Sequence, residues 1–315
     1  MQITKITSLI DKLDANLVVL LCHHNADPDA IGAAFAFDNL LKQLRPNVKT
    51  EIGAASGPSK LSKAVIEAVK VELTGQPQIE NADLVVLLDT NTAQQLDAWA
   101  TLLHPEQPIL LIDHHAPHPE TESISTLSVT DETASSTCEI VYRLFKEAKI
   151  VPSVASAKAL FLGIAFDSRH FILAGSETLK IVAELAQTVN PQEILPILSL
   201  PMDYSERVAR LKTAGRMKIV KVNNWLIALS DLSTFQASAA RGLVALGAHV
   251  AIVAGEKGGG IQASFRASHE FSTETGIHMG RDLANPLGEF LGGMGGGHSV
   301  SAGANGAGDV KECLK

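Results

Sequence analysis

The residues best able to do chemistry are aspartates and histidines that follow short apolar runs. LVVLLC at 17–22 leads into HHNADPDAIG, which sets His23, Asp27 and Asp29 at spacings of four and two. LVVLL ends on Asp89, and ILLI ends on Asp113, His114 and His115. LFLGIAF ends on Asp167, just ahead of Ser168, Arg169 and His170. Imidazole and carboxylate together suit a divalent transition metal. So many carboxylates gathered from several runs exceed what one ion needs, whereas two ions sharing a bridging carboxylate would use them all.

Taken singly, each piece has a plainer meaning. An aspartate after an apolar run is ordinarily a helix N-cap or an Asx turn, and a His-His pair is ordinarily two partly exposed rings. Four such endings in one chain favour a shared site.

Such residues converge only if the elements before them are strands of one parallel sheet, whose ligand crevice lies at the strands' carboxyl ends. Strand-like and helix-like segments do alternate to about residue 190: NLVVLLC, a helix to about 43, VKTEIG, a helix near 60–70, LVVLLD, PILLID, the helix ASSTCEIVYRLFKEA, ALFLGIAF and the helix SETLKIVAELAQTV. This alternation predicts an α/β fold with a doubly wound, mostly parallel sheet, Rossmann-like but without a dinucleotide fingerprint. ALFLGIAF is expected as a buried strand that delivers Asp167 at its tip.

Residues 191–206 contain three prolines and break the alternation, as expected of a linker between domains at 1–190 and 207–315. The second domain opens on the helix-like SERVARLKTAGRMKI and continues with VNNWLIAL, HVAIVAG and IQASFRAS as strands and a helix near 279–291. Fifteen of the 24 glycines fall between 255 and 308. Gly295, Gly296 and Gly297 are expected to form a loop with positive φ whose N–H groups are free for an anion. His298 after that run, and the planar guanidinium of Arg266 before it, point to an anion pocket.

The motifs HHNADPDAIG, LLDTN, LIDHH and GIAFDS resemble, in order, the four motifs of the DHH phosphoesterase superfamily, which includes RecJ-like exonucleases, nanoRNases, cyclic-dinucleotide phosphodiesterases and manganese-dependent pyrophosphatases. GGMGGGHSVSAG, with ASFRAS upstream, resembles the DHHA1 domain of the nuclease and phosphodiesterase branch. The resemblance implies a DHH domain followed by a smaller α/β DHHA1 domain, with the active site in the cleft between them. It implies two Mn²⁺ per chain, with Mg²⁺ or Co²⁺ as substitutes. His23, Asp27 and Asp89 would hold one ion, and Asp29, Asp89, His114 and Asp167 the other. Asp113 and His115 would support the ligands or face the substrate, orienting His114. Arg266, Gly295, Gly296, Gly297, His298, Arg169 and His170 would bind substrate. This chain departs from the family pattern in Asn25-Ala26-Asp27-Pro28-Asp29, where the proline is shifted, and in Ser168-Arg169, where many relatives have Thr-Gly.

The activity this implies is metal-dependent hydrolysis of short single-stranded oligonucleotides or dinucleotides. A phosphomonoesterase acting on 3′-phosphoadenosine 5′-phosphate and a non-catalytic nucleotide sensor are the alternatives. The pyrophosphatase branch has a different C-terminal domain without the GGGH run. A net charge of −8 argues against a stable grip on duplex nucleic acid, which needs many Lys and Arg contacts, but leaves small substrates open. Cys22, Cys138 and Cys313 lack paired spacing; Cys22 and Cys138 read as small core residues, and a reducing compartment fits. No apolar run approaches the roughly 18 residues of a membrane span. The opening MQITKITSLIDKLDAN has acidic residues and no cleavage site, so the expected location is the cytoplasm. A homodimer is compatible with this composition.

Overall fold

The computed structural model describes residues 1–199 and 202–315 and divides the chain into two units, Met1–Leu200 and Pro201–Lys315. Strands β1 (Leu17–Cys22), β2 (Lys49–Ala54), β3 (Leu84–Leu88), β4 (Ile109–Asp113) and β5 (Leu127–Thr130) form one parallel sheet of order β2-β1-β3-β4-β5. The central strands are Leu- and Val-rich because both faces are covered. Val18, Leu20, Cys22, Leu84, Val86, Leu88, Leu110 and Ile112 face the larger core, and Val19, Leu21, Val85, Leu87, Ile109 and Leu111 face a smaller one.

The larger core is closed by α1 (Gln2–Lys12), α2 (Pro28–Leu44) and α3 (Lys60–Val69). The short α4 (Pro119–Ile124) precedes β5, and α5 (Thr137–Ala148), α6 (Val154–Asp167) and α7 (Ser176–Leu185) complete the same layer. The opposite face is covered by the 3₁₀ segments Ile79–Asn81 and Ala93–Leu102, which supply Ile79, Leu96 and Trp99. Strand order reverses direction between β1 and β3, the place where an open α/β sheet leaves a crevice at its carboxyl edge. His23 follows β1, Asp89 follows β3 and Asp113 ends β4.

The segment ALFLGIAF is helix, not strand. It forms the second half of α6, which starts at the N-cap Ser153 and is buried on nearly every side. An all-apolar run has no periodicity to separate a buried strand from a buried helix. The capped 14-residue length decides for the helix, so Asp167 arrives at a helix carboxyl end. Residues 191–206 are not a bare connector either. Helix α8 (Pro191–Ile194) and the 3₁₀ turn Leu195–Leu198 bury Ile194 and Leu198 in the first core, while Leu200 and Pro201 lie outside the described residues.

The second unit begins with α9 (Tyr204–Arg216), earlier than the expected start at 207. Its mixed sheet of order β10-β11-β9-β8-β7-β6 contains β6 (Lys218–Val222), β7 (Trp225–Asp231), β8 (Val250–Lys257), β9 (Gly260–Ala267), β10 (Met294–Gly297) and β11 (Ser301–Gly306). VNNWLIAL is not one strand: Asn223, at φ 54°, turns the β6–β7 hairpin. Helix α10 (Gln236–Ala245) covers one face; α11 (His269–Thr275), the π-helical Met279–Ala284 and α12 (Asn285–Phe290) cover the other, and α13 (Val310–Cys313) follows.

The glycine run is a strand rather than a loop. Gly295, Gly296 and Gly297 pair with β11, and only Gly297 among them has positive φ, at 142°. Glycine is required at 295 by close approach, since a Cβ there would lie 1.7 Å from the Ala284 carbonyl oxygen.

Candidate metal centre

Asp27 begins the site with a double role. It is the N-cap of α2: its Oδ1 accepts from the N–H of Asp29 at 2.9 Å and of Ala30 at 3.1 Å. Its Oδ2 faces His23 Nε2 at 3.9 Å. The cap and the ligand readings of that residue are therefore compatible, one oxygen serving each. One helical step on, Asp29 is wholly buried, and both its oxygens meet the amino end of α5: Thr137 N–H donates to Oδ2 at 2.6 Å and Cys138 N–H to Oδ1 at 2.9 Å. The unpaired N–H groups and dipole of a helix start suit a buried carboxylate.

Asp89 lies at the centre. It is 3% exposed and sits at φ 54°, a left-handed conformation that aspartate tolerates better than most residues. Its Oδ2 is 3.7 Å from His23 Nε2, while its Oδ1 is 3.6 Å from His114 Nε2, 3.5 Å from His115 Nδ1 and 3.0 Å from the Thr137 hydroxyl that donates to it. Its two oxygens thus face two different clusters. His23, Asp27 and Asp89 form one potential metal-binding set; Asp29, His114 and Asp167 form a second; and Asp89, Asp113, His114 and His115 form a third that overlaps both.

Two atoms in this region are buried without a hydrogen-bond partner among the described residues, Asp113 Oδ2 and His114 Nε2. His114 Nε2 lies 3.0 Å from Asp167 Oδ2 yet is out of line for a hydrogen bond. Orphaned donors and acceptors are costly to bury, so their concentration here points to a missing group that would satisfy them. A divalent cation fits, since the donors are imidazole nitrogens and carboxylate oxygens on all sides.

The electrostatics agree. Burial, then repulsion from Asp27, Asp113 and Asp167, lifts Asp89 to about 7 despite the opposing His114. Burial and the charges of Asp89, Asp167 and Asp27 push Asp29 well upward. Burial alone would lower His23 and His114, but Asp27 beside the first and Asp167 and Asp89 beside the second outweigh it and raise both to about 9. Without a cation, then, the cluster keeps protons to offset its own charge.

The residues around these sets fall differently. His24 is about half exposed, contacts the Gln95 carbonyl at 3.1 Å and belongs to none of the three sets. Asp113 was expected to orient His114, but its Oδ1 instead accepts from the N–H of His115 and lies 2.8 Å from the His115 ring. Arg169 and His170 are exposed in the turn that follows Asp167. In the second unit, β9–β11 register sets Arg266 opposite Ser301, whose carbonyl accepts from the His298 N–H at 2.7 Å, so Arg266 lies beside the hairpin end that carries His298. The Arg266 guanidinium donates to the Phe265 carbonyl at 2.7 Å. Its pKa is depressed by burial and by the neighbouring Arg241.

Sequence reasoning missed Thr137 and the start of α5 as parts of the site. The run Ser135-Ser136-Thr137 signals a helix start, but nothing in it says which carboxylates that start will face. Gly163 was missed too. On α6, a Cβ at this position would come within 2.3 Å of Cys138 Sγ and 2.9 Å of Asp29 Oδ1, so the glycine makes room for the ligand.

Overlapping Asp/His sets at the carboxyl edge of a 2-1-3-4-5 sheet give this α/β protein the build of a metal-binding site. The family model described as DHH family, N-terminal domain, matches residues 17–164, and the chain belongs to the DHH family of phosphoesterases. It is 37% identical over 301 residues to an uncharacterized protein of Methanocaldococcus jannaschii, covering 94% of this chain and 89% of that protein. It is 29% identical over 154 residues to a probable manganese-dependent inorganic pyrophosphatase of Streptococcus pyogenes, spanning 48% of each. The crystal structure of an exopolyphosphatase-related protein from Bacteroides fragilis shares the fold, with a TM-score of 0.65 at 20% identity over 99% of this chain and 93% of that one.

Proposed function

We propose that the chain is a metal-dependent phosphodiesterase that hydrolyses short oligonucleotides or dinucleotides. The observation that carries this is the split of Asp89, whose Oδ1 and Oδ2 face separate ligand sets. His23 and Asp27 would hold one Mn²⁺ and Asp29, His114 and Asp167 the other, with Asp89 between them. Ions held there would supply the positive charge that polarises a phosphoryl group and acidifies a water. The amino end of α5 holds Asp29 in place through two N–H donors, and Thr137 fixes one oxygen of Asp89. His115 is about half exposed, and the Asp113 carboxylate raises its pKa against the opposing effect of burial. It is the group we assign to pass a proton to the leaving oxygen. Arg266, Gly295, Gly296, Gly297 and His298 of the second unit would bind nucleotide.

A length series of 5′-labelled oligonucleotides with Mn²⁺, extended to pApA and 3′-phosphoadenosine 5′-phosphate, tests this reading. Cleavage of the shortest oligomers, lost in excess chelator and restored best by Mn²⁺, is the expected result. Turnover of the bisphosphate alone would make the chain a phosphomonoesterase. Tight nucleotide binding without turnover in Mn²⁺ would make it a sensor, and undiminished activity in chelator would end the metal assignment.

A further inference from the structure

The turn that leaves α6 holds strained backbone beside the site. Arg169, His170 and Phe171 are three successive non-glycine residues in the left-handed region, at φ 51°, 56° and 71°. Glycine would adopt that conformation freely, whereas a side chain there is strained. The surroundings enforce it. The buried Ser168 donates its hydroxyl to the Ile164 carbonyl at 2.5 Å and accepts from the Phe171 N–H at 3.1 Å. The His170 N–H donates to the Ala165 carbonyl at 2.7 Å, the Leu173 N–H to the Ser168 carbonyl at 2.9 Å, and Phe171 packs edge-on against Phe161 at 5.5 Å.

None of these contacts uses the Arg169 side chain. It is exposed and takes part in no hydrogen bond or ion pair among the described residues. Arg169 is the one Lys or Arg in the ligand-bearing segments 23–29, 89–97, 113–118 and 167–174. A centre built from so many carboxylates must admit an anionic substrate, and a guanidinium is the side chain that grips a phosphate through two parallel N–H bonds.

We infer that Arg169 is a substrate-positioning residue, held in strained backbone two residues beyond Asp167, that grips a second phosphate of the substrate next to the one being cleaved. This rests on the phosphodiesterase reading and adds to it a preference for substrates with two neighbouring phosphates.

The test compares wild type with Arg169→Gly and Arg169→Lys. Because glycine relieves the strain, Arg169→Gly should melt about 3 °C higher in chelator, while Arg169→Lys should melt near wild type. With Mn²⁺, kcat/KM for pApA relative to ApA, which lacks the second phosphate, should fall roughly tenfold or more in Arg169→Gly, chiefly through KM, and partly recover in Arg169→Lys. The opposed changes in stability and specificity are what a merely structural residue would not produce. An unchanged pApA/ApA ratio, or a lower melting temperature in Arg169→Gly, would overturn the inference. If the wild type cleaves neither dinucleotide, the phosphodiesterase reading falls by itself. Calorimetric binding of inorganic pyrophosphate with Mn²⁺ then decides for Arg169: a loss of tenfold or more in the glycine variant supports it and equal affinity rejects it.

Discussion

The two units use their backbones in opposite ways. In the first, a regular parallel sheet brings side chains to one edge, and its candidate residues are buried or half-buried groups that touch one another: His23 and His114 each lie within 4 Å of Asp89. In the second, side chains are nearly absent where the candidate site lies. Gly280, Gly288 and Gly295 let β10 pack directly on the backbone of 279–290, and Arg266 and His298 stand at the hairpin end beside it. The first unit's site is a charge cluster of carboxylates and imidazoles; the second's is a shape set by close backbone contact. Substitutions should therefore fail for different reasons in each.

The largest effect is expected at Asp89. Asp89→Asn keeps the volume but removes the charge facing both sets, so turnover should drop by about a thousandfold or more, with bound metal by elemental analysis falling below two ions per folded chain. Two ions and a near-normal rate would break the picture of one shared carboxylate. His23→Ala should follow closely, and His24→Ala should cost far less of both activity and metal, since His24 is in none of the ligand sets. The reverse order would shift the site by one residue.

Paired glycine substitutions sharpen the contrast between the units. Gly295→Ala would put a methyl group 1.7 Å from a carbonyl oxygen, so the second unit should lose about 3 kcal/mol or more in denaturant unfolding, with metal content by elemental analysis unchanged. Gly163→Ala meets the movable Cys138 side chain and Asp29, so it should destabilise by only about 1–3 kcal/mol but lower metal affinity measured by calorimetry. Metal loss in the first variant, or none in the second, would erase the distinction.

A smaller effect is expected from Thr137. Thr137→Val removes the hydroxyl that donates to Asp89 and keeps the N–H that donates to Asp29, which should weaken metal binding by about 1 kcal/mol; Thr137→Ser should restore it. Equal affinities in all three proteins would make the contact incidental.

The pH dependence concerns the first unit alone. His23 and His114 rise from 6.5 to about 9 on folding, so their stabilising contribution is complete below 6.5 and is lost as pH rises through 9. The raised Asp89 acts in the same direction on the way to about 7. The metal-free protein should melt at progressively lower temperature between pH 6.5 and 9, while metal uptake, which must displace those protons, tightens over the same range. Melts in chelator and with Mn²⁺ at the two pH values should diverge; parallel curves would mean that the imidazoles do not hold protons in the folded chain.

How much was legible in the sequence differs residue by residue. His23, Asp27, Asp29, Asp89, His114 and Asp167 stood out because apolar runs end on them, and strand ends in a parallel sheet meet at one edge. Asp167 was found although its run was assigned the wrong element, since a buried helix and a buried strand look alike when every residue is apolar, and either can deliver its last residue to the edge. The glycine run was legible as unusual but not as a strand, because close approach of two backbones leaves the same mark in sequence as a positive-φ turn.

By itself the sequence determined which apolar runs end on aspartate and histidine and the strand–helix alternation of the first unit, which follow from local composition and period, while the choice of His23 and His114 among the donors rested on the family motifs. Only the tertiary structure decided that Asp89 faces two sets at once, that Asp113 serves His115 and not His114, that the start of α5 donates two hydrogen bonds to Asp29, and that Arg169 sits in left-handed backbone. The Asp89 and Asp29 arrangements depend on which distant segment packs against a residue: Thr137 meets Asp29 across 108 positions of chain. Long-range juxtaposition of this kind leaves no periodic or local trace, because it is set by the packing of helices on the sheet and not by any one element's own pattern.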